Sequence, residues 1–253
     1  MHDIAASNAF HNLNPSQQCT GFILDSKKDA EDLNCQRLLI QSLLLSLPEN
    51  RADKRLQQLQ HSQMDSWLKK IRNCSQKQLY IRLPDSPMEA FLPRIPSELE
   101  QLSQFMSCSD IWLRKRIQAV RNGNPELCCA MSISNEFIFE AILRGLFSAA
   151  QQCGIESISI LLPLVSRCRE VQQQNIFASE CALDYTIICD IGIEIATPRA
   201  IYFASELASH ADVLVSNVDE LCWLLYGKTK NTQTGNWTAI GEVDRKNKPC
   251  RRI

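Results

Sequence analysis

Short apolar segments alternate with longer helical patterns along this chain of 253 residues. The segment 157–163 is apolar nearly throughout, as expected for a strand that helices cover. In the helical patterns the apolar residues recur at intervals of three and four, which is typical of an amphipathic helix. One such stripe consists of Leu56, Leu59, Gln63, Trp67, Leu68 and Ile71. The alternation predicts an α/β fold with parallel strands joined by helical crossovers.

Two α/β architectures fit this order of elements, an open doubly wound sheet and a (β/α)8 TIM-type barrel. No Gly-x-Gly-x-x-Gly or Walker-type loop follows a predicted strand, which removes the commonest reason to choose a nucleotide-binding open sheet. With about six recognisable strands a barrel would be incomplete. The predicted strands are 21–25, 78–83, 127–133, 157–163, 186–193 and 213–216. The predicted helices are 31–47, 51–72, 97–121, 135–153, 167–180 and 198–210.

Charge and cysteine content limit the classes of partner. The net charge of −1 provides no basic field for nucleic acid or an anionic membrane, and no apolar run approaches the length of a membrane span. The twelve cysteines include no Cys-x-x-Cys pair or zinc spacing. Because the first residues lack a secretory pattern, we expect reduced thiols and a cytoplasmic location, with an organelle as the alternative.

A resemblance to a known family chooses between the two architectures. Residues 80–93 (YIRLPDSPMEAFLP) are similar to the stretch I-R-L-L-D-P-P-L-H-E-F-L-P of the pyruvate phosphate dikinase family. Segments 55–67, 124–134, 160–165, 191–200 and 215–227 resemble other parts of the same family domain, in the same order. That domain is a phosphoenolpyruvate- and pyruvate-binding (β/α)8 barrel. The resemblance implies a barrel domain over 1–235, and we expect a disordered polar tail over 236–253.

The family reaction moves a phosphoryl group between a phosphohistidine and pyruvate, so the resemblance implies a phosphotransferase domain that binds phosphoenolpyruvate or pyruvate with Mg2+. Guanidinium groups suit the phosphate and carboxylate of the ligand, and carboxylates suit the metal ion. By position in the motifs, Arg82 and Asp85 would bind the substrate, while Glu194, Glu220 and Asp219 would hold the metal. No residue is assigned a catalytic role.

Each assignment has a structural alternative. Arg82 would then simply pair with Asp85, and Glu194 would be a surface-facing residue at a strand end. Asp219 and Glu220 would start a helix, where the helix dipole favours acidic residues.

Other family positions are changed. Ser26, followed by Lys27, stands at one family arginine, Ala130 stands at another, and Glu89 with Ala90 replaces a His-Glu pair. The family's late cysteine loop, which protonates the enolate, has no match. These changes predict a diverged, truncated domain that is inactive on its own, a pseudoenzyme. Two alternatives are residual ligand binding with Mg2+, and a non-catalytic interaction or scaffold module whose open barrel edge a partner or a second copy covers.

Overall fold

A computed structural model gives the architecture of the chain. It describes residues 2–3, 22–25, 30–46, 49–50, 52–73, 79–83, 87–123, 135–163, 165, 167–216, 221, 228–230 and 237–239. The strands are β1 His2–Asp3, β2 Phe22–Asp25, β3 Leu79–Arg82, β4 Ser157–Leu162, β5 Ile188–Ile195, β6 Val213–Ser216, β7 Lys228–Lys230 and β8 Trp237–Ala239. The helices are α1 Ala30–Ser46, α2 Lys54–Arg72, α3 Met88–Phe91, α4 Pro96–Phe105, α5 Asp110–Gly123, α6 Glu136–Gln152, α7 Cys168–Leu183, α8 Pro198–Tyr202 and α9 Ala204–Ala208.

The main sheet has six strands in the order β1-β2-β3-β4-β5-β6, of which β2 to β6 are parallel. Each new parallel strand is added on the same side of the previous one. A doubly wound sheet would instead reverse direction at a switch point. This sequential order is that of a barrel segment. Within the described residues, no pairing joins β6 back to β2, so the strands form part of a barrel wall rather than a closed ring.

The two faces of the sheet carry separate apolar clusters, because successive side chains of a strand point to opposite sides. On β3, β4 and β5 one set of alternating residues joins the helices in the main core. The other face holds a small cluster formed by Tyr80, Leu161 and Val215. We call it the Tyr80 face. By alternation Arg82, Gly192 and Glu194 lie on this face as well.

Among the described helices, α2 and α6 share the most extensive contact. Asp53 caps the start of α2 by accepting a hydrogen bond from the backbone N–H of Arg55, at 2.8 Å. Asn135 caps α6 in the same way through Ile138 N–H, at 3.2 Å. The predicted stripe on α2 is confirmed: Leu56, Leu59, Gln63, Trp67 and Ile71 are buried, and Leu68 is partly buried.

Three of the predicted boundaries were wrong for local reasons. The pattern over 97–121 is two helices, α4 and α5, because the chain turns between them and Ser107 adopts a φ of 49°. The pattern over 198–210 is likewise two short helices that meet at Phe203. The strand predicted over 186–193 begins at Ile188, since Thr186 has a φ of 53°, and it continues to Ile195.

Two strands lie where a loop was expected. β7 and β8 pair in an antiparallel fashion. Residues 228–253 are polar and basic and lack strand patterning in the sequence, which predicts loop or disorder there. Each carries a β-branched threonine at its centre, which suits an extended backbone. The strand predicted over 127–133 lies outside the described residues, and the boundaries 1–235 and 236–253 remain predictions. No described helix combines the length and the apolar character that crossing a bilayer requires.

Candidate functional site

A buried ion pair joins two of the residues that the sequence singles out. Arg82 is the last residue of β3, and its Nε donates a hydrogen bond of 2.7 Å to Oε2 of Glu194. Glu194 is the penultimate residue of β5. The two residues are 112 positions apart in the sequence, so only the fold brings them together.

The register of the sheet explains how they meet. Arg82 lies opposite Leu161 of β4, which in turn lies opposite Gly192 of β5. Glu194 is two residues further along β5, on the same face. Since neighbouring strands are about 4.8 Å apart, the arginine side chain has to reach across β4, about twice that distance. The pair therefore spans the carboxyl ends of three parallel strands, the end at which barrel proteins place their sites.

The pair is largely shielded from water. The side chain of Arg82 is 15% exposed and that of Glu194 is 6% exposed. On the same face lies the apolar cluster of Tyr80, Leu161 and Val215, in which Leu161 is opposite Arg82 and Val215 is opposite Glu194. In such surroundings the attraction between opposite charges is screened far less than in water. A charged ligand that replaces either partner would experience the same weak screening.

Gly192 leaves room for the side chain of Leu161 on the Tyr80 face, next to the ion pair. A Cβ atom at this position would lie 2.5 Å from Cδ2 of Leu161 and 3.4 Å from Cβ of Val213. Leu161 thus fills the space that any side chain at 192 would need. A side chain at 192 would therefore displace Leu161 from the apolar cluster beside Arg82.

The predicted site residues fall into two groups. Arg82 and Glu194 are brought into direct contact, and the alternative of a surface-facing Glu194 is wrong because the residue is only 4% exposed. Asp85, Asp219 and Glu220 lie outside the described residues. So do the changed family positions Ser26, Lys27 and Ala130.

Glu89, at the altered His-Glu position, is on the surface. Its Oε1 accepts a hydrogen bond of 3.1 Å from Nε of Arg121 on α5, and the two side chains are 41% and 36% exposed. This ion pair links α3 to α5. Exposed pairs of this kind contribute little to stability.

Among the described residues, no three His, Cys, Asp or Glu side chains are grouped closely enough to hold a metal ion. Glu194 is the one predicted metal ligand that falls within those residues. Its carboxylate is a hard oxygen donor of the kind that Mg2+ takes, and Mg2+ commonly uses one or two protein carboxylates together with water and ligand oxygens. The chemistry of Glu194 fits such a role.

Two neighbouring carboxylates, Asp190 and Asp212, lie near the start of β5. Burial and the neighbouring carboxylate of Asp212 raise the pKa of Asp190 above its ordinary value of 3.8. Asp212 is itself fixed, since it accepts a hydrogen bond of 2.9 Å from the backbone N–H of Ile191. The folded protein therefore holds the Asp190 proton more tightly than the unfolded chain does. This contribution to stability is present at acidic pH and is lost as the pH rises through the folded pKa.

We expect Asp190→Asn to stabilise the protein at pH 7, by roughly 0.2–1 kcal/mol, because it removes a partly buried charge and its repulsion with Asp212, the residue before β6. At pH 3, where the carboxyl group is protonated in both states, the gain should disappear. Urea unfolding at the two pH values measures the difference. An equal gain at both pH values, or a loss at pH 7, would contradict this interpretation.

The sequence alone did not pair Arg82 with Glu194, because it assigned one to the substrate and the other to the metal. A signal for the contact was nevertheless present. Arg82 lies at the end of the strand predicted over 78–83, and Glu194 directly follows the strand predicted over 186–193. Each interrupts an apolar run. An isolated charge in a buried strand needs a partner of opposite sign.

Comparison with known proteins places the chain in a family. Residues 42–219 match the model of the PEP-utilising enzyme, PEP-binding domain. The pyruvate, phosphate dikinase of Rickettsia prowazekii is 23% identical over 207 residues, and the match covers 76% of this chain and 24% of that protein. The enzyme of the same name from Rhizobium meliloti is 28% identical over 60% of this chain and 18% of its own length. That from Treponema pallidum is 26% identical over 75% of this chain and 25% of its own length.

This chain spans about a quarter of the length of the curated relatives it matches. Arg82 and Glu194 both lie inside the segment that the family model matches, 42–219. The resemblance inferred from the motif around Arg82 is thereby confirmed. The chain belongs to the family of PEP-utilising enzymes, as a diverged form of their PEP-binding domain.

Proposed function

We propose that this domain binds phosphoenolpyruvate or pyruvate at the end of the sheet where Arg82 and Glu194 meet. The observation that supports the proposal most strongly is the buried ion pair at the carboxyl ends of β3 and β5, within a domain of the PEP-binding family. The relatives are named for pyruvate and phosphate chemistry. A complete (β/α)8 barrel would surround this end of the sheet with loops and would leave the ligand at the mouth of the barrel.

Arg82 is the anion-binding group in this proposal. A guanidinium is planar and always charged, and it donates in a fork that matches a carboxylate or phosphate. Its Nε is bonded to Glu194, while the apolar cluster on the same face limits the screening of its charge. A small anion entering from the strand ends would accept hydrogen bonds from this group. Asp85, three residues later, would fix the following loop or orient Arg82.

Glu194 would be a metal ligand, with Glu220 and Asp219 as further carboxylates. When bound, Mg2+ would supply positive charge that stabilises negative charge on the ligand. The role of Glu194 is to offer one buried oxygen ligand at a fixed place beside the anion-binding arginine. Because the side chain is held by β5, its position does not depend on a loop.

We propose further that the domain does not transfer phosphoryl groups by itself. By the resemblance, Ser26 and Ala130 stand where the family has arginines, and loss of one charge-assisted contact to a transferring group costs about 2.7–4 kcal/mol. Each such loss lowers the rate by two to three decades. Binding of the ligand is the part of the family function that a single arginine can still support.

Isothermal titration calorimetry with phosphoenolpyruvate, in the presence and absence of MgCl2, tests this proposal. We expect binding in the presence of Mg2+ that Arg82→Ala weakens at least about tenfold, because a charge-assisted hydrogen bond is worth about 1.5–3 kcal/mol. Arg144→Ala is the matched control, since Arg144 is also paired with a buried glutamate but belongs to α6. If the wild type released no heat at millimolar ligand, or if both variants bound equally well, the proposal would be wrong.

A further inference from the structure

The two side chains that are assigned to ligands of opposite charge are bonded to each other. Arg82 is the group for an anion and Glu194 the group for a cation, yet the nitrogen of one is 2.7 Å from the oxygen of the other. The carboxylate of Glu194 has the same charge and shape as the carboxylate of a small organic acid. It therefore stands at Arg82 as an internal substitute for such a ligand.

We propose that the Arg82–Glu194 ion pair is a lock that withholds the anion site until a cation takes Glu194. This inference rests on the proposed function, because it concerns the same site. A divalent cation at Glu194 neutralises the carboxylate and releases Arg82. An anion at Arg82 likewise releases Glu194. Either event breaks the same bond, so the two ligands bind with positive coupling.

The burial of the pair makes the coupling large. With only 15% and 6% of the two side chains exposed, water cannot fully replace a lost partner. An anion that binds alone would leave the Glu194 carboxylate buried, without its arginine and close to a second negative charge. Like charges at short range in weakly screened surroundings repel strongly. We therefore expect Mg2+ to increase the affinity for the anion by a factor of ten or more.

The coupling has to be reciprocal. Any factor by which Mg2+ strengthens anion binding is the factor by which the anion strengthens Mg2+ binding. This can be measured on the wild-type protein, without any variant that endangers the fold. Calorimetric titration of Mg2+ with and without saturating phosphoenolpyruvate, and the converse titration, should give the same factor. A factor near one would overturn the lock, even if phosphoenolpyruvate binds tightly.

Glu194→Gln tests the lock through a gain of affinity for the anion, whereas Arg82→Ala should cause a loss. The amide keeps the size of the side chain and still offers an oxygen to the N–H of Arg82, but it removes the charge that competes with the anion. We expect this variant to bind phosphoenolpyruvate without Mg2+ at least about tenfold more tightly than the wild type does, with little further effect of Mg2+. If Glu194 were a metal ligand and nothing else, the variant would bind the anion no better without metal than the wild type.

Glu140→Gln is the matched control. Glu140 is 7% exposed and pairs with Nε of Arg144 at 2.8 Å, so it reproduces the burial and the bond of Glu194 on a different element, α6. Thermal unfolding of both variants shows that each is folded. Glu140→Gln should leave the affinity for phosphoenolpyruvate unchanged.

The outcomes separate the lock from the proposed function. If Glu194→Gln binds phosphoenolpyruvate and the wild type does not, the result supports the lock and contradicts ligand binding by the wild type. If the wild type binds phosphoenolpyruvate equally well with and without Mg2+, the result supports ligand binding and overturns the lock. If Glu194→Gln binds no better than the wild type in the absence of metal, the pair withholds no anion site and the lock is wrong.

Discussion

Gly145→Ala should lower the free energy of unfolding by about 3 kcal/mol, which corresponds to a fall in Tm of about 6–12 °C. A Cβ atom at this position of α6 would lie 2.6 Å from the carbonyl oxygen of Gln60 and 2.6 Å from Cβ of Gln63. Both neighbours belong to the rigid body of α2. The substitution can be accommodated only if the two helices move apart.

The separation would also disturb a buried polar contact. Nε2 of Gln63 donates to Oε1 of Gln36 on α1 at 3.0 Å, and Gln36 donates to the carbonyl oxygen of Ser62 at 3.1 Å. Buried amides that lose their partners are costly, so a shift of α2 is resisted by α1 as well. This is why we expect an effect at the upper end of the range for overpacking.

Gly123→Ala is the control for the glycine prediction. Gly123 is the exposed last residue of α5, and a Cβ atom there would have no neighbour within 4 Å. The change should stay within about 0.5 kcal/mol, as is usual for surface substitutions. Chemical unfolding of both variants gives the comparison. Similar stabilities for the two would show that α2 and α6 are not in close contact at Gly145.

Substitutions that break the ion pair between Arg82 and Glu194 should also lower the free energy of unfolding strongly. We expect Glu194→Leu to cost about 3 kcal/mol of unfolding free energy, because it leaves the guanidinium of Arg82 buried without this carboxylate. Arg82→Met should be similarly costly for the opposite reason. The double variant should recover most of the loss, since neither charge remains to be desolvated.

A double-mutant cycle measures the coupling directly. We expect a coupling energy of at least about 3 kcal/mol between the two positions, because the double variant should cost less than either single variant. If the two single effects were simply additive, the 2.7 Å contact would not exist in solution.

Added phosphoenolpyruvate should raise the Tm of Glu194→Gln more than that of the wild type in the absence of metal, as mass action requires for a tighter ligand.

The spacing of apolar residues predicted best those strands and helices in which this spacing is regular and uninterrupted. β6 lies at the residues predicted, 213–216, and α2 buries the predicted stripe. Boundaries were wrong where a single residue takes a left-handed conformation, as at Ser107 and Thr186. Neither residue is a glycine, so the sequence carries no clear signal for these turns.

The sequence identified two residues of the site but not the contact between them. The motif around Arg82 and the isolated charge of Glu194 marked both residues. Their contact depends on the register of three strands, which no local pattern determines. The pairing also changes the chemical interpretation, since a carboxylate that binds an arginine competes with the ligand of that arginine.

The side-chain signals of arginine provide the most direct test of the central claim, that Arg82 is the anion-binding group of the site. The Nε–H resonance of Arg82 can be assigned in 15N-arginine-labelled protein as the signal that disappears in Arg82→Lys. Titration with phosphoenolpyruvate and Mg2+ should shift this resonance more than any other arginine Nε–H, because its hydrogen-bond acceptor changes from Glu194 to the ligand. A resonance of Arg82 that stays in place while phosphoenolpyruvate binds would contradict the account.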